Sequence, residues 1–262
     1  MSAPQLVVDA VTKKYGPSRG PSAVAEVTIT VEPGELLGIV GESGSGKSTL
    51  GKMLAGLEVP TSGAITWDGS NLTQVLGSRT GRTRYRRAVQ LIAQDTTSSF
   101  DPRHTIRESL RVPAQVLGGL DRKAADAAVD RIVLQMGLPV ETADRTASRL
   151  SGGQRQRMAI ARALIVSPRM LICDEVVSAL DVSVQGSVLN LLKRYCRESG
   201  AGLVFISHGL PATAFITDTL AVMSAGRIVE HGPTATVLAE PSHPYTRELV
   251  EAYSAGTASA LS

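Results

Sequence analysis

The chain has 262 residues, 43% of them hydrophobic and 19% charged, with a net charge of +3. That is enough apolar material for a large core and excludes a disordered chain, while so slight a basic balance falls short of a dedicated nucleic-acid binder. Two cysteines, Cys173 and Cys196, form no C-x-x-C pair, which argues against a disulfide framework or zinc site and fits a reducing cytosol. With no run of about eighteen apolar residues and no signal-like N-terminus, any membrane role is expected to come through a partner.

Leu6 to Val11 and Val24 to Val31 alternate apolar and polar residues, and the polar segment 12–22 between them contains Gly and Pro; this predicts an N-terminal antiparallel hairpin or small sheet. Tyr15 opens that loop in a chain with 3% aromatics, either as a ring on which an adenine stacks or as a surface tyrosine capping the sheet. The apolar run Leu36 to Val40 predicts a buried strand and Leu50 to Leu57 a helix. Between them stands Gly41-Glu42-Ser43-Gly44-Ser45-Gly46-Lys47-Ser48-Thr49, which fits the phosphate-loop pattern G-x-x-x-x-G-K-[ST] in the required strand-to-helix setting. Such a turn points several backbone N–H groups at one anion, at the positive end of a helix. Lys47 then bridges β- and γ-phosphates, and the Ser48 hydroxyl takes one position on Mg²⁺.

Ala64 to Asp68, with a turn at Asp68-Gly69, predicts another antiparallel strand. The basic run Arg79, Arg82, Arg84, Arg86 and Arg87 reads better as a solvated helix face than as a nucleic-acid surface, because Tyr85 is its one aromatic. Ala88 to Ala93 is a short strand ending at Gln94, followed by a polar loop, Asp95 to Arg103, able to move with a ligand or partner. Thr105 to Leu117 and Arg122 to Met136 read as helices, the first kinked or broken at Pro113. They interrupt the strand-helix rhythm and so predict an inserted helical subdomain. It leads to Leu150-Ser151-Gly152-Gly153-Gln154 and the helix Arg155 to Val166. A capping box explains Ser151 and Gln154. It does not explain Gly152 and Gly153, which weaken a first helical turn and let a bulky anion approach its bare N–H groups, a second phosphate-binding helix end.

Met170 to Cys173 predicts a strand ending in Asp174-Glu175, carboxylates on opposite faces if strand geometry persists. One can hold Mg²⁺ through water while the other orients or deprotonates an attacking water. Ser178-Ala179-Leu180-Asp181 turns into the helix Val184 to Arg197. The strand Leu203 to Ser207 ends at His208, within reach of a γ-phosphate if the strand is parallel; alone, such a histidine is a surface imidazole. Leu220 to Met223 and Arg227 to Glu230 turn at Ala225-Gly226. The tail carries Pro241-Ser242-His243-Pro244-Tyr245-Thr246 and is expected to fray at its small final residues.

In this order the motifs resemble the nucleotide-binding subunit of an ABC transporter over nearly the whole length. Gly41 to Thr49 matches Walker A, Gln94 the Q-loop, Leu150 to Gln154 the LSGGQ signature, Met170 to Glu175 the Walker B strand with its catalytic Glu, Ser178 to Asp181 the D-loop and His208 the switch histidine. Gly41 to Lys47, Ser178 to Gln185 and His243-Pro244-Tyr245-Thr246 resemble the peptide and nickel importer branch. The resemblance implies an α/β fold: a P-loop NTPase (RecA-like) core with an N-terminal antiparallel β subdomain and an inserted α-helical subdomain. The expected division is 1–93 with 168–240 for the core and β layer, 94–167 for the Q-loop and signature helices, and 241–262 for a short tail.

It further implies ATP and Mg²⁺ as cofactors, with Ser48, Gln94 and Asp174 toward the metal and Glu175, His208 and Gln94 in catalysis. Tyr15 and Gly41 to Thr49 would bind the chain's own nucleotide. Ser151 and Gly153 would contact the γ-phosphate held by a second ABC ATPase subunit, and Gly152, Gln154 and Asp181 would also bind nucleotide. Two transmembrane permease subunits and an extracytoplasmic substrate-binding protein are the expected partners, nucleic acid is not, and the subunit is expected on the cytoplasmic face of the membrane. Three departures stand out. Val176 replaces the Pro usual after the catalytic Glu, and activity is expected to survive this. Gly209 follows His208 where Asp is common, loosening that loop. The tail carries no cysteines for an iron–sulfur cluster. Rival readings are a soluble ABC ATPase acting on ribosomes or nucleic acid, and a P-loop module without turnover.

Overall fold

The structure, a computed structural model, describes residues 4–16, 20–94, 99–178, 180 and 182–259. Among these, two sheets organise the chain. Strands β1 (Leu6–Lys14), β2 (Ser22–Val31), β4 (Ser62–Trp67) and β5 (Ser70–Asn71) form an antiparallel layer in the order β2-β1-β4-β5. The central sheet runs β10-β9-β3-β8-β7-β6, comprising β3 (Leu36–Val40), β6 (Val89–Ile92), β7 (Met170–Asp174), β8 (Gly202–Ser207), β9 (Thr219–Ser224) and β10 (Arg227–Pro233). It is parallel except for β10, which returns antiparallel to β9.

The parallel strands read as unbroken apolar runs because both faces are covered. Leu171 and Cys173 of β7, with Leu203 and Phe205 of β8, face a core shared with the helical region. Their neighbours Met170, Ile172, Val204 and Ile206 face a core shared with the antiparallel sheet. Helix α1 (Lys47–Leu54) lies within that second core through Leu50, Met53 and Leu54. Helices α2 (Leu72–Gly77) and α3 (Arg79–Ala88) follow. All five arginines of α3 are exposed, while Tyr85 is fully buried, stacks edge-on against Trp67 at 5.2 Å and donates its hydroxyl to the Leu54 carbonyl.

The helical region holds α4 (Ile106–Val116), α5 (Arg122–Gln135) and α6 (Gly152–Leu164), with 3₁₀ turns over 140–144 and 147–149 before α6. Pro113 does not break α4. A Thr105–Glu108 capping box starts the helix, Ile106, Leu110 and Ala114 bury one stripe, and the Leu117 N–H still reaches the Pro113 carbonyl at 2.9 Å. Arg107 ties α4 to α5 and to the first 3₁₀ turn through Asp130 at 2.7 Å and Asp144 at 2.6 Å. Helices α7 (Val182–Ser199), α8 (Leu210–Ile216), α9 (Thr234–Ala239) and α10 (Pro244–Ser259) complete the chain. Most of the tail, Pro244–Ser259, is thus a helix, and the final positions 260–262, where fraying was expected, lie outside the described residues. α10 is held because Tyr245, Leu249, Val250 and Tyr253 pack on Val40, Leu210, Leu220, Val222 and Val237.

Candidate active site

Parallel strands that run the same way deliver their carboxyl ends to one edge, where ligands of open α/β sheets bind. Here β3 delivers the phosphate loop, β7 Asp174 and Glu175, β8 His208, and β6 Gln94. The loop is pinned by close backbone approach. A Cβ on Gly41 would lie 2.1 Å from the Met223 carbonyl oxygen, and one on Gly46 would lie 2.1 Å from that of Ala23. Both positions therefore require glycine, and Gly46, at φ 100°, is the N-cap of α1. No side chain caps α1, so the N–H groups of its first turn are open to an anion.

Lys47 is 4% exposed. Its Nζ donates to the carbonyls of Gly41 at 2.8 Å and Glu42 at 2.6 Å and to Ser45 Oγ at 3.2 Å. Burial lowers its pKa, opposed by the carboxylates of Glu175, Asp174 and Glu42. Beside it, Ser48 Oγ donates to Asp174 Oδ1 at 2.9 Å. Burial raises the Asp174 pKa, against the Ser48 hydrogen bond.

Glu175 does not continue the strand. Its φ of 50° is left-handed, so the alternation expected to separate the two carboxylates ends at Asp174. The conformation is held by the Glu175 N–H on Ile206 O at 2.9 Å and by the Ser178 N–H and hydroxyl on Glu175 O, at 3.2 and 2.9 Å. Val176, where proline was expected, is buried in the core shared with the helices. The Glu175 carboxylate accepts from Gln94 Nε2 at 2.7 Å on one oxygen and has His208 Nδ1 at 3.4 Å from the other. That second contact is an ion pair when the imidazole is protonated. Gly209 beside the histidine is held by its N–H on Ser207 Oγ at 2.9 Å.

A cleft of about 280 Å³ collects Ala23, Ser43, Gly44, Gly46, Lys47, Ser48, Thr49, Gln94 and Glu175. Ser151, Gly152, Gly153 and Gln154 do not line it; they form the start of α6. There Ser151 Oγ accepts the Gln154 N–H at 3.3 Å and Gln154 Oε1 accepts the Ser151 N–H at 3.1 Å. Gly152 faces open space, and a Cβ on Gly153 would lie 3.3 Å from Val184. Tyr15 is 52% exposed, does not line the cleft, and has Lys13 Nζ 5.1 Å from its ring centre. Asp181, Ala179 and the loop positions 95–98 lie outside the described residues. Sequence reasoning missed Ala23 and Met223, whose backbones define the loop, and the contact of Tyr245 with Glu42, whose N–H meets the phenol oxygen at 2.8 Å. Only the motif around Tyr245 left a signal.

The ABC transporter family profile matches residues 24–178. The chain belongs to that family. It is 40% identical to the oligopeptide transport ATP-binding protein OppF of Lactococcus lactis subsp. lactis, over 88% of this chain and 72% of that protein. It is 44% identical to the glutathione import ATP-binding protein GsiA of Pectobacterium atrosepticum, over 88% of this chain but 37% of that protein. Among solved structures, the ATP-binding cassette MJ0796, dimeric and bound to ADP and Pi, superposes with a TM-score of 0.80 at 25% identity, over 87% of this chain and 98% of that one. The protein is thus an ATP-binding cassette ATPase of mixed α/β architecture.

Proposed function

We propose that this cassette is the ATPase subunit of an importer for peptides or related small cargo such as nickel or a metal chelate, acting as one half of a pair of ATPase subunits. One observation carries the reading. Lys47, the Ser48–Asp174 pair and the Gln94–Glu175–His208 cluster converge at one edge of the sheet, while the Ser151 start of α6 lies outside that cleft. A triphosphate fits the bare start of α1 and the buried ammonium. Mg²⁺ fits the oxygen donors Ser48, Asp174 and Gln94, and when bound it supplies charge neutralisation between the phosphates.

In this assignment Gly41 to Thr49 hold the phosphates, Tyr15 meets the adenine, and Glu175 takes a proton from the water that attacks the γ-phosphorus as the bond to the β-phosphate oxygen breaks. Gln94 and His208 orient that carboxylate. Ser151 to Gln154 and Asp181 serve the nucleotide of the paired subunit, so each ATP joins two chains. Residues 1–93 with 168–240 act as the catalytic core, 94–167 as the lever and 241–262 as a C-terminal element. Two permease subunits and an extracytoplasmic substrate-binding protein complete the importer and hold this subunit at the cytoplasmic face. Among the described residues no helix is long and apolar enough to cross a membrane. Relatives named for oligopeptide transport and glutathione import support the cargo class. Action on nucleic acid gains no support from the arginine run, whose aromatic, Tyr85, is inside the core.

The test is Glu175→Gln with ATP and Mg²⁺. Turnover falls by about 10²–10⁴, and analytical ultracentrifugation finds a species of twice 27.5 kDa that ATP induces. Unchanged hydrolysis overturns the role of Glu175. A persistent ATP-bound monomer overturns pairing of the isolated chain with itself and points to a different second ATPase subunit or a need for the membrane subunits.

A further inference from the structure

The motif His243-Pro244-Tyr245-Thr246 has no part in the chemistry above, yet its tyrosine touches the phosphate loop. The apolar stripe of α10 sets the Tyr245 ring against a cluster that contains Val40, the last residue of β3. From there Tyr245 Oη accepts the Glu42 N–H at 2.8 Å. That N–H and the Gly41 carbonyl belong to one planar peptide unit. The Gly41 carbonyl accepts from Lys47 Nζ, also at 2.8 Å. One plane is therefore held at its two ends, by the phenol on one side and the ammonium on the other.

The phenol is itself anchored. Pro244 is the first residue of α10, and His243 Nδ1 accepts the Tyr245 N–H at 3.2 Å, capping the helix start. Glu230 of β10 accepts the Ser242 N–H and hydroxyl, both at 2.8 Å, and the His243 N–H at 3.0 Å. Arg247 donates to the Ser242 carbonyl at 2.8 Å. Partial burial pushes the Glu230 pKa up, but the hydrogen bonds from Ser242 and His243 help outweigh it and bring the pKa down to about 2, so this anchor stays ionised.

We propose that Tyr245 is a positioning residue for the phosphate loop: it fixes the Gly41–Glu42 peptide plane and, through that plane, Lys47, so that the C-terminal helix sets the affinity for nucleotide. This rests on the phosphate-loop reading above. A ring that merely filled a gap would not need its hydroxyl oxygen at a loop amide. A phenol acting through Lys47 does.

The experiment titrates a fluorescent ATP analogue into the wild type, Tyr245→Phe, Lys47→Ala and the double variant, up to millimolar nucleotide. Tyr245→Phe keeps the packed ring and removes the acceptor. Its affinity falls about two- to tenfold, the effect of one net hydrogen bond, with the thermal unfolding of the nucleotide-free protein little changed. In the Lys47→Ala background the same change has no further effect, because the group it positions is gone. Equal losses in both backgrounds would make Tyr245 a general structural residue, and no loss in either would make the contact incidental; each overturns the proposal. Wild-type affinity in Lys47→Ala would instead overturn the phosphate-loop reading itself, so the two failures are distinct.

Discussion

Gly44 and Gly46 sit two residues apart in one loop with similar backbone angles, φ 82° and 100°, yet only one is hemmed in. A Cβ at Gly44 would meet nothing within 4 Å, whereas at Gly46 it would lie 2.1 Å from the Ala23 carbonyl oxygen. Gly44→Ala therefore carries the conformational term alone, about 1–2 kcal/mol. Gly46→Ala adds an overlap that only backbone movement relieves, about 1–3 kcal/mol more. At about 3 °C per kcal/mol for a chain of this size, the expected losses are about 3–6 °C for Gly44→Ala and about 6–15 °C for Gly46→Ala. Differential scanning fluorimetry with and without ATP reads both. The ATP-induced rise in Tm is lost in Gly46→Ala, where the displaced segment is the start of α1. Equal losses in the two variants, or a Gly46→Ala protein that melts and responds to ATP like the wild type, would refute the argument that close approach by β2 dictates the loop.

Asp174→Asn is expected to stabilise the nucleotide-free protein at neutral pH by about 0.5–2 kcal/mol while abolishing turnover, since a buried carboxylate is replaced by a neutral group that can still accept from Ser48. The folded-state pKa of Asp174 is raised, so the wild type loses stability as pH rises through that value. The advantage of the variant must then shrink as pH falls toward the unfolded value near 3.8, and an advantage that is flat with pH would contradict the cause. Tyr15→Ala should weaken ATP binding by about two- to tenfold if the ring stacks on adenine; an unchanged titration leaves Tyr15 as a surface partner of Lys13.

The parallel strands were legible because a strand covered on both faces admits nothing but apolar side chains, as Leu36 to Val40 and Met170 to Cys173 show. The strands of the N-terminal sheet run further than their alternation suggested, β1 to Lys14 and β2 from Ser22, because their ladder hydrogen bonds do not depend on side-chain pattern. The short helices α2, α8 and α9 escaped prediction, each under two turns and stabilised by what it packs on more than by its own residues. Each chemical group of the cleft was named from its motif, but the bend at Glu175 was not, since a left-handed glutamate has no sequence signature. Tyr245 and Glu42 stand 203 positions apart, a separation across which local patterns carry no information.

Two of the glycine turns, Asp68-Gly69 and Ala225-Gly226, differ in what an engineer can do with them. At Asp68-Gly69 a Cβ on the glycine would meet nothing within 4 Å. The Ala225-Gly226 turn is crowded: the Gly226 carbonyl accepts the Ala25 N–H at 2.8 Å, and the Gly226 N–H reaches Ser45 O at 3.1 Å, inside the phosphate loop. A reporter peptide spliced into the first would ride along silently. In the second it would pull on the loop that reads the nucleotide, turning a fusion site into a sensor.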